Sequence, residues 1–138
     1  DHLAWWLDAY RSEFRPSAAM PRPYAMAAVG AYAAGTDAEA ARLFTSQQQA
    51  FVNLRRGTPG PLPPPVDDID QVWSPPEKAM VTHAFREAVV GSPAIVKQGL
   101  ADFVQRTGID ELMVTAAVYD QAARIRSFEL VAEACGLS

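Results

Sequence analysis

Disulfides, structural zinc and a basic surface are all missing from this sequence. Its one cysteine, Cys135, has no second thiol to pair with, and with only His2 and His83 beside it cannot complete a four-ligand zinc site. Lys and Arg number 12 against 16 Asp and Glu, a formal charge of −4, which is the wrong sign for neutralising a phosphate backbone, so no nucleic-acid partner is expected. No run approaches the roughly 20 consecutive apolar residues that cross a bilayer, and residues 1–6 lack the basic start of a secretory signal. A cytoplasmic chain without membrane contact is the expectation. His83 has no nucleophile or ligand partner at matching spacing, and Cys135, in a last helical turn, reads as a small apolar filler. The first residue is Asp and not Met, so a piece of something longer is expected.

What is present, 138 residues with 49% apolar and 20% charged, suits one globular domain over residues 1–138. Leu3, Trp6, Leu7, Tyr10 and Phe14 form the one-sided stripe of an amphipathic helix that stops before Pro16. Residues 24–33 carry no charge between Pro23 and Gly35 and read as a central parallel strand buried on both faces. Thr36 and Glu39 then match a capping box, opening a helix with a stripe of Ala40, Leu43, Phe44, Phe51 and Leu54. It ends on Arg55, Arg56 and Gly57, cations at the negative end of the dipole before a glycine able to take positive φ.

Residues 58–66 hold five prolines and form a stiff excursion without the N–H groups for helix or ladder. Ser74 with Pro75 and Glu77 starts a helix to about Ala88, and Ser92 with Pro93 starts another, carrying Val96, Leu100, Phe103 and Val104. Gly99 inside that helix implies close packing against a neighbour, since glycine there costs about 1 kcal/mol against alanine. Val89-Val90 and residues 112–117 read as further strands. Asp120 caps a last helix whose Ala122, Ile125, Phe128 and Ala132 are expected to face inward. Strands alternating with helices make the class α/β with a parallel sheet.

The proline loop with its flanks, Arg55 to Asp67, resembles one subgroup of the luciferase-like, flavin-dependent oxidoreductases, the bacterial luciferase superfamily. Four more segments follow in the order of that family: residues 22–26, 90–93, 110–115 and 119–129, together covering nearly the whole chain. The resemblance implies a (β/α)8 barrel of which this chain holds the last three βα units and a preceding helix; a full barrel takes about 250 residues. It further implies reduced FMN as cosubstrate, dioxygen, and oxygenation of an organic substrate at the carboxyl ends of the strands. In the family the flavin-phosphate contacts and much of the isoalloxazine site lie on the earlier half of the barrel, so FMN is not expected to be held by this chain alone. Gln121 stands where relatives often have His after the Tyr-Asp pair, and cannot act as acid or base.

Candidate cofactor-binding residues are Gly91 and Ser92 at a helix start, Arg55 and Arg56 at a loop mouth, and Tyr32, Thr115 and Tyr119 near strand carboxyl ends. Each has an ordinary alternative: a serine cap, helix-end cations, or core packing. No catalytic residue and no metal ligand is assigned.

An unclosed arc of three staves is expected to expose about six to nine apolar groups, at about 1.5–3 kcal/mol for each large one. Association follows as an expectation, either as a homodimer or with the missing N-terminal half of the barrel. The function expected is the C-terminal part of a flavin monooxygenase, inactive alone; the alternative is a free-standing, non-catalytic binding or oligomerisation module.

Overall fold

The computed structural model describes residues 2–137. Along the chain lie α1 (His2–Glu13), β1 (Met26–Ala33), α2 (Asp37–Arg55), a 3-10 turn (Ile69–Gln71), α3 (Pro75–Ala84), β2 (Val89–Gly91), α4 (Pro93–Thr107), β3 (Glu111–Thr115) and α5 (Gln121–Ala134). The three strands are parallel, in the order β2-β1-β3. Chain order and spatial order differ because β2 and β3 pair with opposite edges of β1, and they do so at different ends of it. The three residues of β2 pair with Ala31, Tyr32 and Ala33, whereas β3 runs along Met26 to Gly30 on the other side.

The element boundaries follow their sequence signals. Thr36 accepts the Glu39 N–H at 3.2 Å, Glu77 reaches back to the Ser74 N–H at 2.7 Å, and Asp120 accepts the Ala123 N–H at 2.8 Å. Gly57, Gly108 and Gly136 follow the helix ends at φ of 76°, 60° and 72°. The last carbonyls of α4 find an added partner in α1, where Arg11 donates to Thr107 at 2.9 Å and to Gly108 at 2.6 Å. Asp110 pins the starts of the two long strands: its carboxylate accepts the Ala25 N–H at 2.9 Å and Arg22 at 2.6 Å. That double donation holds the Asp110 carboxyl below its ordinary pKa, the Arg22 bond being the larger cause.

One sheet face is dry. Val29, Ala31 and Ala33 of β1 pack against Val96, Leu100 and Phe103 of α4 and Leu130 and Val131 of α5, with Leu7 of α1 at the margin. Gly99 explains itself here, since a Cβ on it would stand 2.6 Å from Val89 Cγ1. The close approach of α4 to β2 depends on that missing carbon.

The opposite face corrects the expectation for β1. Met26 and Ala28 are exposed and Gly30 half-buried, so the strand alternates over its first half and is covered on both sides only from Ala31 onward. In register beside them, Glu111, Met113 and Thr115 are exposed as well. This is the concave side of an open sheet, but it carries small and polar groups where six to nine apolar ones were expected. Met26 and Met113 are its large exposed apolar side chains among the described residues. Toward the carboxyl ends α2 covers the sheet, with the Phe44 and Tyr32 ring centroids 4.6 Å apart.

Three other expectations change. In α5 the inward residues are Ser127, Leu130 and Val131, while Ala122, Ile125 and Phe128 are exposed. The helix has two apolar faces, and periodicity alone points to the one that stays exposed among the described residues. In α2, Leu54 is exposed and Thr45, Ser46 and Gln49 are buried. The proline excursion is the cause: Thr45 accepts the Val66 N–H at 2.9 Å, and Gln49 donates to the Pro64 carbonyl at 2.9 Å. Cys135 is exposed and fills no core space.

Candidate functional site

A trough of about 390 Å³ opens on the concave face at the carboxyl ends of β1 and β3. Its floor is Ala28, Gly30 and Thr115; Tyr32 closes one end, Phe85 and Ala88 form a wall from the segment after α3, and Ala116 and Ala117 follow β3. Strand alternation puts Ala28, Gly30 and Tyr32 on one side, and register puts Thr115 beside Gly30. A Cβ on Gly30 would stand 3.3 Å from the Tyr32 ring and 3.8 Å from Ala88 Cβ, so glycine widens the floor where a side chain would fill it.

Tyr32 is 4% exposed, and its hydroxyl accepts the Ala117 N–H at 3.3 Å. Burial, opposed by that bond, pushes the phenol pKa up, so it stays a neutral donor through the physiological range. The carboxylate that lines the trough, Glu87, is paired with Arg106 and Arg86. The trough can hold a flat, largely apolar group and offer it hydroxyls; its own side chains supply no acid–base pair. Among the described residues no group of three or more His, Cys, Asp or Glu could hold a metal ion.

Of the candidate residues, Tyr32 and Thr115 meet in the trough. Tyr119 is 55% exposed and outside its lining. Arg55 lies over the Phe51 ring, 5.0 Å from the centroid, on the outside of α2. Arg56 donates to Glu77 at 2.7 and 2.9 Å and to the Val72 carbonyl at 3.0 Å, tying the end of α2 to the start of α3. Glu77 is held at about 2 by Arg56 and by the Ser74 N–H and hydroxyl.

Ser92 occupies the N-cap position of α4, but an anion already stands there: the Asp37 carboxylate accepts the Ser92 N–H at 2.6 Å, which lowers its pKa. A Cβ on Gly91 would stand 2.6 Å from Ile95, so the glycine serves this tight turn. His83 is exposed beside Arg86, and Gln121 is exposed and accepts from Arg124.

Gly30, Phe85 and Ala88 were not singled out from the sequence. Gly30 was findable, lying two residues before Tyr32 on a strand. Phe85 is set beside the trough by its ring contacts with Phe44 and Phe51 of α2, 5.5 and 5.2 Å between centroids, a packing for which no local pattern exists, and Ala88 follows it.

No protein-family model matches this chain. It is 47% identical over 130 residues to a protein of Escherichia coli (strain K12) named luciferase-like monooxygenase, covering 94% of this chain and 39% of that protein. It is 48% identical over 127 residues to the uncharacterized protein YvbT of Bacillus subtilis (strain 168), covering 92% and 38%. In structure it resembles apo-MsnO8 with a TM-score of 0.78 at 29% identity, over 100% of this chain and 42% of that one. The chain spans about two fifths of the length of the curated relatives it matches.

Proposed function

We infer, from a chain that is luciferase-like along nearly its whole length, that it is the C-terminal part of the (β/α)8 barrel of a flavin-dependent monooxygenase and is inactive by itself. The observation that carries this is the open concave face, with a small-residue trough where the strands end. A closed barrel places its reacting groups at that end and covers that face with its other strands.

The residues present fit the ring of a flavin better than its phosphate. Gly30 leaves a flat floor, the Tyr32 hydroxyl is a buried donor, and Phe85 offers an aromatic wall. No matching provision for phosphate lines the trough: Arg56 is bound to Glu77, Arg55 lies over Phe51, and Asp37 occupies the start of α4. The phosphate grip is therefore assigned to the three fifths of the relatives that this chain does not span. Reduced flavin would supply the activation of dioxygen; these residues would orient the ring and exclude water.

Association completes the picture. Ile125 and Phe128 of α5, Trp5 and Trp6 of α1, and Met26 and Met113 of the sheet all face solvent here, and β3 has a free edge. Such surfaces take another chain, either the remainder of a barrel or a second copy.

Titration of FMN into the chain alone, and into the chain co-expressed with the preceding part of a luciferase-like relative, tests the reading. No stoichiometric binding alone, with flavin binding and flavin-dependent oxygen uptake on co-expression, is expected. Tight stoichiometric binding and quenched flavin fluorescence with the isolated chain would contradict it.

A further inference from the structure

The Tyr32 hydroxyl receives a proton and gives none. It accepts the Ala117 N–H at 3.3 Å, and among the described residues nothing accepts its own proton. The side chain is 4% exposed, wedged against Phe44, and lines the trough. The bond from Ala117 leaves the phenolic proton free to turn toward a molecule bound in the trough that Tyr32 lines. On the same face stand Gly30, which presents no side chain, and its register partner Thr115, an exposed residue.

We propose that Tyr32 is a positioning residue which donates its phenolic proton to a carbonyl oxygen of a molecule bound in the trough, and that the Ala117 N–H fixes the direction of that donation. The carbonyl can belong to a flavin ring or to the organic substrate, and the assignment rests on the flavin reading only for the first of these. The opposing ring of Phe85 and the alanines at positions 84, 88, 116 and 117 suit a flat carbonyl compound, and Glu87, the carboxylate in the lining, is paired with Arg106 and Arg86.

The test is a titration of the full chain, followed by amide resonances, with lumiflavin in one arm and cyclohexanone in the other. Shifts of Gly30, Thr115 and Ala117 amides with either probe, and about fivefold weaker binding to Tyr32→Phe, are expected, the loss matching one neutral hydrogen bond. Equal affinity of Tyr32→Phe and the parent chain would overturn the assignment while leaving the flavin reading intact. Shifts with cyclohexanone alone would retain the donor and remove the flavin ring as its partner. No shift with either probe would overturn the assignment. Should Tyr32→Phe not fold, the parent chain still decides: an Ala117 amide that stays fixed while Gly30 and Thr115 shift would overturn the assignment.

Discussion

Ser127 of α5 accepts the backbone N–H of Ala33 at 2.9 Å, with both residues buried. Past the end of its ladder with β3, the central strand is thus held by a hydroxyl from a helix. Ser127→Ala leaves that N–H dry and unpaired, a loss of about 1–3 kcal/mol, whereas exposed Ser12→Ala is near neutral. Urea denaturation of the two variants measures the difference, and equal midpoints would deny Ser127 its role.

Gly99 against Val89 makes a second prediction. Alanine at position 99 gains about 1 kcal/mol of helix propensity but places its Cβ 2.6 Å from Val89 Cγ1, on a stiff β-branched side chain. Overpacking of this kind costs about 1–3 kcal/mol, so Gly99→Ala is expected to destabilise, and Gly99→Ala with Val89→Ala to recover part of the loss. A double-mutant cycle in thermal unfolding with no coupling between the sites would contradict the close approach of α4 to β2.

The Arg56 to Glu77 tie makes stability depend on acid. Glu77 titrates at about 2 in the folded chain against an ordinary 4.5, so the unfolded chain binds its proton first as pH falls. The contribution is whole above about pH 4.5 and fades as pH drops toward 2. Glu77→Gln is therefore expected to unfold at a lower temperature than the parent at pH 6, with the gap closing between pH 4.5 and 2. A gap that stays constant over that interval would show that the carboxylate's charge is not what holds α2 to α3.

Helix ends and strand positions were legible because each is written locally: a capping hydroxyl, a proline at the first turn, a glycine at positive φ. Faces were less legible. In α5 the residues Ile125 and Phe128 form a real apolar stripe, yet they stay exposed while Ser127, Leu130 and Val131 turn to the sheet. In α2 the buried Thr45 and Gln49 look like surface residues until the proline excursion lies across them. Of the trough, Tyr32 and Thr115 could be placed at strand ends by counting, while Phe85 arrives through a packing that no short pattern encodes.

The outward stripe of α5 yields its own test. Ile125→Glu and Phe128→Glu change exposed positions, 50% and 39% accessible, and are expected to leave the chain folded within about 0.5 kcal/mol. They should weaken association with a second copy or with the preceding part of a barrel. Analytical ultracentrifugation reads both outcomes, and unchanged association would place the contact elsewhere, on the concave face or the β3 edge.

The most direct measurement is the mass of the chain in solution by light scattering at micromolar concentration. The proposed barrel reading predicts a species of at least twice 15.0 kDa, reverting to a one-to-one complex when the preceding part of a luciferase-like barrel is supplied. A sharp monomer that stays folded and ignores that part would contradict the account.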